Sequence, residues 1–172
     1  MSGELTLRFT RVSPTHHRFE YRRPDGSGET IEMETRSLLL HDLVHYAVES
    51  EAGLRGSFYG LLAKIGGYQE LIVNGGAALG GEVAITERVV GALQGALKDD
   101  DFDGGAFADA MANYLDLYDE RPPRWLTPES VTRVRERLRQ LNGRWNATPF
   151  GETMELQFPS PLAGEGVGEA DG

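Results

Sequence analysis

Both ends of the chain alternate between apolar and polar residues. Leu5, Leu7 and Phe9 stand against Thr6, Arg8 and Thr10, and Met154, Leu156 and Phe158 stand against Glu155 and Gln157. Successive side chains on a strand point to opposite faces, so each run reads as a half-buried strand, Glu4 to Val12 and Glu152 to Phe158. Two more strands follow the first. One runs from about His17 to Arg23 with Phe19 and Tyr21, the other from Glu29 to Thr35 with Ile31 and Met33 inward. Pro24-Asp25-Gly26-Ser27-Gly28 turns the chain between them. The stretch between the third strand and the last is dominated by helical spacing. Strands at both ends around a helical middle lead to an α+β expectation. It is a small antiparallel sheet of three N-terminal strands and one C-terminal strand, packed on five or six helices in one domain over residues 1–158.

The helical middle divides at its breakers. Ser37 is an N-cap candidate for the first helix and Gly53 its stop. Ser57 to Ile65 reads as a short helix closed by Gly66-Gly67, and Tyr68 to Val73 fits either a last helical turn or a short strand. Thr86 to Lys98 carries Val89, Val90, Leu93 and Leu97 at helical spacing. Phe107, Met111, Tyr114, Leu115 and Tyr118 mark the next helix, which Arg121-Pro122-Pro123 ends. Thr127-Pro128-Glu129 opens the last helix with a cap, a proline at the first position and an acid in the first turn. Its buried face is predicted to be Val131, Val134, Leu138, Leu141 and Trp145. Arg133, Arg135, Arg137 and Arg139 are spread around the other sides as a solvated face. From Pro159 to Gly172 the chain is rich in Gly, Pro and Glu with almost nothing to bury, and residues 159–172 are expected to be a disordered tail.

Charge and composition exclude several function classes. A formal net charge of -10 and a pI near 4.8 argue against nucleic acid or an anionic membrane as the main partner, and fit a basic protein partner better. With no cysteine there is no thiolate catalysis, disulfide or cysteine-bound zinc. The N-terminal residues lack an apolar signal core, and no run approaches the ~20 apolar residues of a membrane span. A cytoplasmic protein is the expectation.

The chemistry is concentrated in Leu38-Leu39-Leu40-His41-Asp42-Leu43-Val44-His45-Tyr46-Ala47-Val48-Glu49. Two of the four histidines lie here, one helical turn apart. At ~100° per residue, His41, His45 and Glu49 form one stripe, with Asp42 beside Glu49. Leucines, valines and an alanine fill the opposite side. A polar stripe at the border of a buried face is a place for a divalent transition metal, zinc above all, on His41, His45 and Glu49. Asp42 then stands behind the ligands or acts as a base. The alternative is structural: His45 and Glu49 make an ordinary i,i+4 pair, His41 and Asp42 satisfy nearby backbone, and the protein is a non-enzymatic interaction or regulatory factor.

Other motifs are weaker. His16 and His17 are adjacent, so a strand points them opposite ways, and both read as turn or surface residues. Asn74 to Gly81 is glycine-rich, but Glu82-Val83 follows where a phosphate cradle has Lys-Ser or Lys-Thr, leaving a flexible connection. Asp99, Asp101, Asp103 and Gly104 match the first half of a calcium-binding EF-hand loop. Ala110 stands where the loop's bidentate Glu belongs, so tight calcium binding is not expected.

The His41-Asp42-x-x-His45 run resembles the His-Glu-x-x-His helix of zinc metalloproteases, in which two histidines hold zinc and the Glu is the base. Asp42 is one carbon shorter than that Glu, which weakens the peptidase implication. The same run is similar to the His-Asp-x-x-His of the ubiquinone-biosynthesis family, but Ser57 replaces that family's later Glu. The His41-Asp42 pair also resembles HD-domain phosphohydrolases, which need a further His and Asp on an all-helical scaffold. The wider run through Gly53-Leu54-Arg55-Gly56-Ser57-Phe58-Tyr59-Gly60 looks like a small group of uncharacterised bacterial proteins and implies no activity. Ser160 to Gly166 resembles repeat-derived tails on some bacterial open reading frames.

Overall fold

The computed structural model describes residues 4–64, 81–96, 106–118 and 121–159. Strands β1 (Leu5–Arg11), β2 (His16–Arg22) and β3 (Gly28–Glu34) lead into helix α1 (Thr35–Ala52) and a short α2 (Phe58–Lys64). Helices α3 (Gly81–Ala96), α4 (Ala106–Tyr118) and α5 (Pro128–Ala147) follow, and β4 (Thr153–Phe158) closes the fold. The expected segments Tyr68–Val73, Asn74–Gly80, the Asp99–Gly104 loop and the tail after Pro159 lie outside the described residues.

The sheet is four-stranded and antiparallel throughout, in the order β3-β2-β1-β4. The first and last strands of the chain are therefore neighbours. Leu7 pairs with Tyr21 on one side and Leu156 on the other, and Phe9 with Phe19 and Met154. All six side chains are buried on one face. The opposite face carries cross-strand polar pairs, among them Thr10 with Thr153 at 2.7 Å and Arg8 with Glu155 at 2.7 Å. Gly26 takes φ +90° in the β2–β3 turn, where the Asp25 carboxylate accepts from the Ser27 amide at 2.8 Å. Two carbonyls of β4 are engaged by side chains of the helical layer, Tyr46 donating to that of Gln157 and Arg144 to that of Glu155.

Helix α1 is the centre of the helical layer. It packs on α3 and α5, touches β2, β3 and α2, and is buried from Asp42 to Ser50. A helix that is buried nearly all round has no need of a strongly one-sided apolar stripe. It starts earlier than Ser37: Glu34, the last residue of β3, is its N-cap, with no side-chain cap bond. The strand passes straight into the helix, and the Thr35 amide donates to the Thr15 carbonyl at 2.9 Å. Gly53 ends it as expected, at φ +67° in the left-handed region, with its amide and that of Leu54 returned to the last carbonyls. On α5, Thr127 and Ser130 form a reciprocal capping box, and Val131, Val134, Leu138, Leu141 and Trp145 are all buried.

One expectation is overturned. His17 is not a turn or surface residue but is fully buried. The strand begins at His16, so the alternation puts His16 in solvent and His17 in the core, against Phe9 and edge-on to Trp145. Its Nδ1 meets the Thr35 hydroxyl at 3.1 Å, and its Nε2 has no hydrogen-bond partner among the described residues.

Candidate metal centre

Helices α1 and α3 run in opposite directions across the site. His41 faces Gln94, and one turn further along α1 His45 faces Glu87. Val89, Val90 and Leu93 seat α3 in the core, and Glu87 and Gln94, two turns apart on one side of that face, line up opposite the two histidines.

Each imidazole is held by one nitrogen. The Nδ1 of His41 lies 3.1 Å from the side-chain oxygen of Gln94. An amide oxygen only accepts, so Nδ1 carries the proton and the Nε2 lone pair is left for a ligand role. The Nδ1 of His45 is 3.1 Å from Glu49 Oε2, and its Nε2 is 3.0 Å from Glu87 Oε2. The rings stand 4.8 Å apart at 70°. Ligand atoms of His41, His45 and Glu87 all fall within 4.8 Å of one another. Donors about 2.0–2.2 Å from a tetrahedral zinc stand about 3.3 Å apart. The His45–Glu87 pair at 3.0 Å has that spacing, and the group as a whole, spread over up to 4.8 Å, would contract to hold an ion.

Glu49 and Asp42 take other positions. Glu49 is fully buried behind His45 and accepts the amides of Phe58 at 3.1 Å and Tyr59 at 2.9 Å, the first residues of α2. Its two oxygens thereby tie α1, α2 and His45 together. Glu82 of α3 adds a second strap, accepting from the Gly56 amide at 2.7 Å and the Ser57 hydroxyl at 3.1 Å. Asp42 is buried, and its backbone carbonyl accepts from the Tyr59 hydroxyl at 3.0 Å.

The electrostatics follow from these contacts. Burial by itself would lower the His45 pKa, but hydrogen bonds and charge from Glu49 and Glu87 outweigh it and push it up to about 10. Between two carboxylates His45 is therefore an imidazolium. Burial raises the Glu49 carboxyl, offset in part by His45 and the α2 amides. Glu87 is also penalised by burial, yet the adjacent imidazolium holds it below the ordinary range. His41 is lowered by burial and then by the charge on His45, so it is the neutral member of the pair.

No family model, curated protein or solved structure matches this chain.

Sequence spacing singled out His41 and His45, which the structure brings together, and did not point to Glu87, which lies beside them. The carboxylate next to the pair along α1 is Glu49, and nothing in local spacing points to a residue on another helix. A usable signal was present on α3, where Glu87 and Gln94 repeat at i, i+7 beside the apolar Val90, the pattern of a polar seam facing another polar seam.

Proposed function

We propose that this chain binds a divalent transition metal through His41, His45 and Glu87, with zinc as the ion the donor set suits best. The observation that carries the reading is the state of the four imidazole nitrogens. One nitrogen of each ring is engaged by an acceptor from behind, Gln94 or Glu49, and the remaining pair converges with a Glu87 oxygen. Metal-binding histidines characteristically hand their second nitrogen to a carboxylate or carbonyl, which fixes the tautomer and raises ligand basicity. Glu49 and Gln94 are in that supporting position, so we assign Glu49 to orienting His45 rather than to the metal. Two imidazoles and one carboxylate suit zinc, and also suit non-haem iron, nickel or manganese.

His41 is half-buried, and the Glu87 side chain is 35% exposed. A metal held there has protein on one side and access to water on the other. Three protein ligands with an open position are the arrangement of catalytic zinc, which supplies a water acidic enough to attack at neutral pH. Hydrolysis is accordingly the reaction class to test first. Asp42→Asn separates its roles: loss of turnover with metal retained marks a base, and unchanged turnover marks a structural carboxylate.

The deciding experiment is metal analysis of the purified, dialysed protein beside His41→Ala and Glu87→Ala. The proposal expects about one equivalent in the wild type and none in either variant. A metal-free, fully folded wild type that takes up no added zinc would refute it.

The second reading is a non-enzymatic, acidic interaction protein. It is favoured by one observation, that Glu49, His45 and Glu87 already form a complete carboxylate–imidazolium–carboxylate row at 3.1 and 3.0 Å. In that case the row fastens α3 to α1, and the net charge of -10 serves a basic partner.

A further inference from the structure

A groove of about 540 Å³ lies between α2 and the end of the sheet where β1 begins and β4 ends. It shares no residue with the metal centre. Its floor is Phe158, Pro159, Gly60 and Ala63, and its rim carries Arg55, Lys64 and Glu4. The rim side chains are exposed, whereas Phe158 and Gly60 are buried beneath them. Neither Arg55 nor Lys64 forms an ion pair among the described residues, although acids outnumber bases by 27 to 17 in this chain.

We propose that this groove binds a small aliphatic carboxylate, its chain lying on Phe158 and Ala63 and its head group between Arg55 and Lys64. Three features select that class. The volume falls within the ~300–1,000 Å³ of small-molecule sites, where an apolar lining with a few polar groups is usual. Among the lining residues a guanidinium presents a fork that matches a carboxylate, and an ammonium adds a point charge. With Glu4 the lining carries a single net positive charge, which complements a monoanion.

The test is calorimetric titration of the full chain with hexanoate, octanoate and decanoate. Saturable one-to-one binding is expected, tightening with each added methylene by less than the roughly fourfold of full burial, because the groove is open on one side. Decylamine, with the same chain and the opposite charge, should not bind. Arg55→Glu with Lys64→Glu should weaken decanoate at least tenfold while the protein stays folded, since both side chains are exposed. Ala63→Trp, which fills the groove and leaves the cations, should also abolish binding. Absence of saturable binding, binding of decylamine as tight as decanoate, or indifference to chain length would each overturn the proposal. So would a full-chain dimer that the double charge reversal dissociates, because a second copy would then be the occupant. Binding to anionic vesicles without binding to decanoate would overturn it in favour of a membrane surface. None of these readouts depends on metal at His41 and His45.

Discussion

Two histidines in this fold are equally closed to solvent, yet one is neutral and the other carries a charge. His17, in the sheet layer, lies among Phe9 and Trp145 with one hydroxyl partner, and burial followed by the charge on neighbouring His16 lowers its pKa to about 4. His45, between α1 and α3, is just as inaccessible, yet two carboxylates push it up to about 10. Burial opposes charge in both places. What differs is whether anions are supplied at hydrogen-bonding distance. One layer of the protein removes the charge from an imidazole and the other layer is built around it.

The sharpest way to break this contrast is to remove Glu49. Glu49→Ala strips His45 of one carboxylate and leaves the Phe58 and Tyr59 amides without their acceptor. A loss of about 3–5 kcal/mol is expected, the range for breaking a buried ion pair by deleting one partner. Urea denaturation measures it, and a loss below about 1 kcal/mol would show that water replaces the carboxylate without cost. Glu87→Ala should cost far less, since Glu87 is partly exposed, while still removing the metal.

Next in size is the pH dependence, where the two histidines act with opposite sign. His17 has a folded pKa below its unfolded value near 6.5, so its contribution is complete above that pH and is lost as pH falls toward 4. The loss is up to about 3 kcal/mol at the acid end. His45 has a raised folded pKa, so its contribution is complete below pH 6.5 and fades as pH rises through about 10. His17→Phe should flatten the acid limb alone, as read by denaturation midpoints from pH 4 to 7. An unchanged limb would place its origin in the carboxylates instead.

A bound metal should sharpen the contrast further. In the metal-free protein at pH 7 His45 holds a proton that a metal on its Nε2 has to displace. Calorimetry in buffers of different ionisation enthalpy should find about one proton released per metal, and affinity should weaken about tenfold for each unit of pH lost. Release of no proton would mean that the metal avoids His45. The smallest effect belongs to His16→Ala. The side chain is exposed, so the melting temperature should not move, while the acid limb assigned to His17 shifts slightly toward higher pH as a neighbouring charge disappears.

The sheet was legible because β1, β2 and β4 each alternate over six residues, and a one-residue slip would turn Leu7, Phe9 and Leu156 to solvent. The buried face of α5 was legible for the same kind of reason, with Leu138, Leu141 and Trp145 repeating at three- and four-residue steps. The site was only half legible. His41 and His45 share a helix and announce themselves by spacing, whereas Glu87 is separated from His45 by a change of helix. A local pattern cannot carry that contact, because it depends on how two helices dock. Along the chain Glu49 is the nearest acid in line with the pair, which is why spacing points to it and not to Glu87. His17 was misjudged because a one-residue difference in where β2 begins decides whether it belongs to a turn or to the core.

The absence of a loop between β3 and α1 has an evolutionary consequence. Glu34 ends the strand and Thr35 begins the helix. One residue inserted between that joint and His41 would swing both imidazoles by ~100° about the helix axis, away from Glu87 and Gln94. The joint should therefore hold a constant length in any lineage that keeps the site, whereas the β2–β3 turn, which only has to reverse direction, is free to lengthen. Counting residues from the last position of β3 to the first histidine is thus a ruler by which a distant relative with the same chemistry could be recognised after its other side chains have drifted.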